Sequence, residues 1–241
     1  MTISVDLPTP ARVLAIGAHP DDIEFGCGAT LAKWASAGAH VTLCVCTDGS
    51  KGTWDRDADA GELVATRAGE QHAASAILGA QHTVLLGFVD GELTTDGRGI
   101  EAICRVIREV RPDVVLAHDP WKPYRLHPDH VHAGQLAVAG IVNARDPHFF
   151  PAHEHAPHRP NTLLCFEPGR VDHAEAVDGF VDRKIEALLA HCSQWQSTMG
   201  IGDDPERDVA AFARSLHDEA RAAGLRAGLR AAEAFARLED L

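Results

Sequence analysis

Short, nearly unbroken apolar runs alternate along the chain with longer stretches whose apolar positions recur every three to four residues. The runs are RVLAIGA (12–18), VTLCVCT (41–47), TVLLGF (83–88), DVVLAHD (113–119) and TLLCFEP (162–168). A strand that is apolar at every position is buried on both faces, as in a parallel sheet covered by helices. The helical periodicity predicts helices near 27–38, 61–79, 97–110, 129–143, 173–192 and 204–238, with Gly38, Gly79 and Pro112 marking where the earlier ones stop. Such βαβ alternation predicts an α/β fold: a Rossmann-like, doubly wound, mostly parallel sheet with helices on both faces. One domain is expected over 1–241, with a core at about 11–200 and a closing C-terminal helix at about 204–238. In that helix Val209, Phe212, Ala213 and Leu216 share a face, which suits internal packing or contact in a homo-oligomer.

One segment breaks the rhythm. RDPHFFPAHEHAPHRPN (145–161) is crowded with prolines and histidines and is too irregular for a regular element, so it reads as a loop or hydrophilic flap over a pocket. His153, His155 and His158 within it have metal-like spacing, a second and lesser reading.

Composition narrows the classes. Hydrophobic residues make up 45% of the chain and charged residues 24%, ordinary values for a globular protein. No apolar run approaches the roughly 20 residues of a spanning helix. The start, MTISVDLPTPAR, has neither the basic end nor the apolar stretch of a secretion signal, so a cytoplasmic location and no membrane partner are expected. Net charge is −13, and the basic residues are scattered rather than gathered in a stripe, which argues against nucleic acid as a partner. Six cysteines show no C-x-x-C pair and sit mostly in apolar runs, as reduced core residues do. Fifteen histidines, in contrast, are many for 241 residues and direct attention to metal or proton-transfer chemistry.

Two of the histidine-bearing segments stand where such chemistry belongs. In a doubly wound sheet, ligands bind beyond the C-terminal strand ends where strand order reverses, commonly between the first and fourth strands. The first run is followed by His19-Pro20-Asp21-Asp22, and the fourth by a segment containing His127-Pro128-Asp129-His130. Either alone has a plainer reading: HPDD also fits a turn whose aspartates cap a helix. Facing each other across adjacent strands, they fit a hydrolytic zinc site with three imidazole and carboxylate ligands and one open position. His19, Asp22 and one histidine of the second cluster supply that set. Asp21 is then placed as general base toward a metal-bound water, and a second-cluster histidine that does not bind metal is free to stabilise an oxyanion or act as acid. Asp129 would orient one of the two histidines through its other ring nitrogen. A dinucleotide site is the competing reading, but Gly26 and Gly28 are followed by Leu31 where G-x-G-x-x-G needs its third glycine.

The blocks AHPDDIEFGCGATLAKWASAGAHVTLCVCTDGSKG, TRAGEQHAASAILGA, LLGFVDGEL, RPDVVLAHDP, HPDHVHAG and KIEALLAHCSQWQS resemble, in order, those of the LmbE-like (PIG-L) zinc-dependent N-deacetylases, over about residues 13–198. The resemblance implies His19, Asp22 and His130 as ligands of one Zn²⁺, or of another divalent transition metal. It implies Asp21 as general base, His127 as oxyanion stabiliser or acid, and Asp129 as the partner of His127. Arg67 matches a substrate-binding arginine of the family, and Asp90 a sugar-hydroxyl contact found in some members. Taken without the resemblance, Arg67 reads as a solvated helix residue and Asp90 as a turn former. The function so implied is removal of an N-acetyl or other N-acyl group from an amino sugar or similar small polar substrate, a linear-amide hydrolysis. The alternatives are another amide or an acyl-hydrazide cleaved by the same site, and a sugar-binding module without catalysis.

Overall fold

The computed structural model describes residues 3–241. The chain runs through β1 (Ser4–Val5), β2 (Arg12–Gly17), α1 (Asp22–Ser36), β3 (His40–Thr47), α2 (Ala60–Leu78), β4 (His82–Phe88) and α3 (Gly97–Val110). It continues with β5 (Val114–His118), α4 (Pro128–Ala144), β6 (Thr162–Phe166), β7 (His173–Ala176), α5 (Val181–Leu189), α6 (Pro205–Ala227) and β8 (Ala232–Glu239). The strands form one 8-stranded sheet in the order β1-β7-β8-β6-β5-β2-β3-β4. Those from β2 to β6 are mutually parallel, and β8 runs antiparallel between β6 and β7. The single-domain α/β fold with a mostly parallel sheet is therefore the one expected.

The unbroken apolar runs are explained by two buried faces. Val13, Ala15, Val41, Leu43, Val114, Leu116, Leu164 and Phe166 belong to one core with residues of α1, α2 and α5. Their neighbours Leu14, Ile16, Cys44, Cys46, Val115, Ala117, Leu163 and Cys165 point the other way, into a core built with α3 and α4. Alternation along each strand thus serves two interiors. Gly26 lets α1 approach the sheet: a Cβ there would fall 2.4 Å from the Phe166 ring, so this glycine serves helix–sheet packing.

The C-terminal third departs from expectation. The stretch expected to be a helix over 173–192 opens instead with β7, and α5 follows only from Val181. The expected helix over 204–238 stops at Ala227, where Gly228 takes the left-handed conformation (φ 74), and 232–239 is β8. Both segments, HAEA and AEAFARLE, are made of good helix formers, but pairing of β8 with β6 and β7 outweighs a propensity of a few tenths of a kcal/mol per residue. The helix over 27–38 begins earlier, at Asp22, and breaks at Cys27 (φ −152); the freed N–H groups of Ala29 and Thr30 donate to Glu233 of β8. Within α6, Val209, Phe212, Ala213 and Leu216 pack with Val181, Ile185 and Leu188 of α5, the internal role of the two envisaged.

Segment 145–161 is irregular, as expected, but it lies away from the expected pocket. His158 Nε2 is 2.8 Å from the carbonyl of Pro112, which precedes the N-terminal end of β5, opposite the end that carries His118. Arg108 of α3 donates to the carbonyls of Asp146, Phe149 and Phe150 and fixes the loop there. His153 faces Arg108 and Glu101, and no metal-type grouping of His153, His155 and His158 occurs among the described residues. No helix among the described residues is long and apolar enough to cross a membrane.

Candidate active site

The chain builds outward from β2 through β3 to β4, then crosses to β5 on the other side of β2, so strand order reverses between β2 and β5. The loop leaving β2 carries His19 and Asp21, and Asp22 opens α1. The loop after β5 and the first turn of α4 carry His127, Asp129 and His130. The two clusters meet, as expected, across this switch point.

Asp22 is the hub. Its Oδ2 lies 3.2 Å from His19 Nδ1 and 3.2 Å from His118 Nε2, its Oδ1 3.3 Å from His130 Nε2, and it accepts the His19 N–H at 2.7 Å. Burial raises the Asp22 carboxyl, but the His118 charge and hydrogen bonds from His118, His130 and His19 outweigh it and hold the group well below the usual carboxylate range. His118, the last residue of β5, was not expected in the site. It is 1% exposed and its ring stacks on that of His130 at 4.4 Å. An imidazole at the end of the fourth apolar run was the signal available for it.

The other nitrogen of His19 is also held. Its Nε2 is 3.1 Å from Asp90 Oδ1 and 3.2 Å from Asp129 Oδ2. Burial pulls the His19 imidazole down, yet the hydrogen bonds to Asp22 and Asp90 dominate and raise it to about 11. Asp129 is wholly buried and also accepts the N–H groups of Gly91 and Leu93. The expected pairing of Asp129 with His127 is thereby corrected: the carboxylate serves His19, because the turn at 90–93 and α4 close on it from that side. What passes between Asp129 and His127 is the backbone N–H of Asp129, donated to His127 Nδ1 at 3.3 Å, with His127 capping α4. Burial and the charges of His19 and His130 push the exposed His127 below its ordinary value.

Asp90 and Arg67 are both buried beside this centre. Asp90 Oδ2 accepts the Lys51 N–H while Oδ1 meets His19, so each carboxylate oxygen has a partner within the protein. Arg67 is 3% exposed, not the solvated helix residue of the plainer reading. It donates to the carbonyls of Gly49 and Pro20 and, at 3.4 Å, to Asp21 Oδ2.

Asp21 itself is buried with φ 104, a region that side-chain-bearing residues rarely adopt and that costs of order 1–3 kcal/mol. Desolvation raises its carboxyl to about 7; Arg67 opposes the shift and Asp22 reinforces it. Behind Asp21 lie Gln71, Glu24 and His191, all buried and none expected from the sequence. Near the mouth, Arg125 bridges Glu167 (2.8 Å), His118 Nδ1 (3.2 Å) and His130 Nδ1 (3.4 Å).

Groups of three side chains able to hold a metal ion recur here: His19, His127 and His130; Asp22, His118 and His130; and His19, Asp90 and Asp129; the expected set of His19, Asp22 and His130 is not itself one of them, although Asp22 meets both histidines. An α/β sheet with such a carboxylate–imidazole centre at its switch point has the build of a hydrolytic enzyme, with no phosphate-cradling glycine loop. The chain belongs to the PIG-L family, described as GlcNAc-PI de-N-acetylase, whose profile matches residues 14–141, just over half of its length. It is 32% identical over 219 residues to the diacetylchitobiose deacetylase of Thermococcus kodakarensis, covering 89% of this chain and 82% of that protein. It is 35% identical over 252 residues to the 1D-myo-inositol 2-acetamido-2-deoxy-alpha-D-glucopyranoside deacetylase of Streptomyces griseus subsp. griseus (92% of this chain, 75% of that protein). Among solved structures, N,N'-diacetylchitobiose deacetylase from Pyrococcus horikoshii, complexed with its inhibitor MPG, superposes with a TM-score of 0.85 at 28% identity, over 95% of this chain and 84% of that one. The chain is thus an enzyme of the deacetylase, or amidohydrolase, class.

Proposed function

We propose that this protein is a Zn²⁺-dependent hydrolase that removes the N-acetyl, or a related N-acyl, group from an amino sugar or similar small polar substrate. One observation above all supports the reading: at the point where strand order reverses, Asp22 meets three imidazoles at 3.2–3.3 Å while its neighbour Asp21 lies buried against Arg67, so the two aspartates have opposed surroundings. Asp22, ringed by three imidazoles, is held as carboxylate, whereas buried Asp21 is raised to about 7. Neighbouring carboxyls with opposed environments are how one site separates a binding role from a proton-transfer role.

His19 through Nδ1, Asp22, and His130 through Nε2 would hold the ion. The chemistry of the donor set fits zinc: two imidazoles and one carboxylate, with His19 Nδ1 and His130 Nε2 each against an oxygen of Asp22 and the far nitrogen of His19 anchored by carboxylates. When bound, Zn²⁺ supplies Lewis acidity to the acyl carbonyl and to water. Asp21 takes the proton of the attacking water, for which a carboxyl near 7 is well matched. Because His127 Nδ1 accepts the Asp129 N–H, its hydrogen resides on Nε2, and the neutral ring donates from there to the oxygen that gains charge. Asp21, carrying the proton taken from the water, then returns it to the leaving amine as the tetrahedral species collapses to carboxylate and amine. A second divalent transition metal in place of zinc would leave these protein roles unchanged.

The test follows amine release from N-acetylglucosamine, N,N'-diacetylchitobiose and a 1D-myo-inositol N-acetylglucosaminide, before and after chelation, with zinc measured by elemental analysis. Asp21→Asn is expected to keep zinc and lose turnover, and His130→Ala to lose both. Undiminished turnover in Asp21→Asn, or full activity in metal-free protein, overturns the assignment.

A further inference from the structure

The peptide unit that joins Pro20 to Asp21 is gripped at both of its polar ends by one helix. Arg67 Nη2 donates to the carbonyl of Pro20 at 2.6 Å, and the N–H of Asp21 donates to Gln71 Oε1 at 3.2 Å. Arg67 and Gln71 stand four residues apart on α2 and so present on the same face. The plane of this peptide sets φ of Asp21, the torsion that sits at 104°. Such a conformation persists only where its surroundings over-determine it.

Gln71 is suited to this task by its two-sided head. Its Nε2 donates to Glu24 Oε1 at 2.7 Å while its Oε1 faces the Asp21 N–H, so a single orientation of the amide satisfies both contacts. Ser75 Oγ, donating to the Gln71 carbonyl, adds a further tie within the helix. Gln71 and Glu24 are wholly buried, so water offers no substitute for either bond. A glutamate at 71 would set two carboxylates against each other, and an apolar residue would leave the Asp21 N–H bare.

We propose that Gln71, oriented by Glu24, is a positioning residue for Asp21: it holds the Pro20–Asp21 peptide so that the aspartate keeps its left-handed backbone and its carboxylate stays aimed beside Asp22. The Gln71 head meets Asp21, Glu24 and Ser75, none of them a residue placed as a metal ligand. Its effect is therefore on the placement of the proton acceptor, and it falls on kcat, with KM and metal retention left alone. The proposal rests on the reading of Asp21 as the general base, and the controls are chosen to separate the two.

The experiment compares wild type, Gln71→Met, Gln71→Glu, the exchange Glu24→Gln/Gln71→Glu, and Asp21→Asn as zinc-loaded proteins, with N,N'-diacetylchitobiose as probe. The readouts are kcat, KM, zinc content and melting temperature. A base displaced by about 1 Å costs up to roughly 100-fold in rate, so kcat of Gln71→Met and Gln71→Glu is expected to fall about 10- to 100-fold, with KM within about twofold and zinc retained. The exchange restores a donor at 24 and an acceptor at 71, and is expected to recover most of kcat; it carries the test if Gln71→Met fails to fold. Wild-type kcat in Gln71→Met, or an exchange no better than Gln71→Glu alone, overturns the clamp while loss of turnover in Asp21→Asn keeps the base reading standing. Wild-type turnover in Asp21→Asn overturns both.

Discussion

Asp129 Oδ2 lies 3.2 Å from His19 Nε2, on the opposite side of the imidazole from Nδ1, which faces Asp22. A carboxylate behind a ligating histidine fixes its tautomer and raises its basicity, and loss of such a partner typically costs about 10- to 100-fold in metal affinity. Asp129→Asn is therefore expected to weaken zinc binding by that factor, read by competition with a chelator of known affinity. His127→Ala, which leaves the carboxylate behind His19 in place, is expected to retain zinc and lose turnover. Had Asp129 partnered His127, the two variants would lose turnover together with zinc unaffected in both. That outcome would reject the pairing seen here.

Gly134 explains how α4 brings its histidines to the strand ends. A Cβ at this position would fall 2.5 Å from the backbone carbonyl of His118 and 3.0 Å from Pro120, so the helix lies directly on the segment leaving β5. A backbone oxygen has little room to give. Gly134→Ala is expected to destabilise the fold by about 1–3 kcal/mol, seen as a lower melting temperature by roughly 2–4 °C per kcal/mol. Because β5 ends in His118 and α4 carries His130, zinc affinity should fall with it. An unchanged melting temperature would show that the contact is looser than this.

Most of the sheet was legible because its strands are buried on both faces, and double burial leaves a run of apolar residues that needs no partner to be recognised. The two histidine–aspartate clusters were legible for a related reason: each lies in four consecutive residues, and the order of strands places them together. The parts that escaped depend on distant pairing. β7 and β8 are written mostly in Ala, Glu, Arg and Leu, with one His and one Phe, and only their ladders make them strands; Gly228 was the local sign that α6 stops. His118, Gln71, Glu24 and His191 sit singly in unrelated segments and acquire meaning only through what they face. The partner of Asp129 escaped for the same cause, since two residues separate it from His127 but 110 separate it from His19. Segment 145–161 was correctly read as irregular, but nothing in its composition says which end of the sheet it lies against.

His191 provides a test in pH. Its ring is wholly buried with Nε2 3.8 Å from Glu24 Oε2, and Asp21 and Glu70 add negative charge nearby. Burial lowers its pKa, but the nearby carboxylate of Glu24, followed by Asp21 and Glu70, prevails, and the folded value rises above the ordinary 6.5. A histidine that binds its proton more tightly when folded stabilises the native state fully below its unfolded pKa, and that contribution is lost as pH rises through the folded one. The melting temperature of wild type should therefore exceed that of His191→Gln by more at pH 6 than at pH 9, since glutamine has no proton to lose. Scans of both proteins at the two pH values, in the same buffer ionic strength and with zinc saturating, supply the comparison. A gap that stays constant or widens toward pH 9 would mean that the buried ring is neutral when folded, and that Glu24 is held by Gln71 alone.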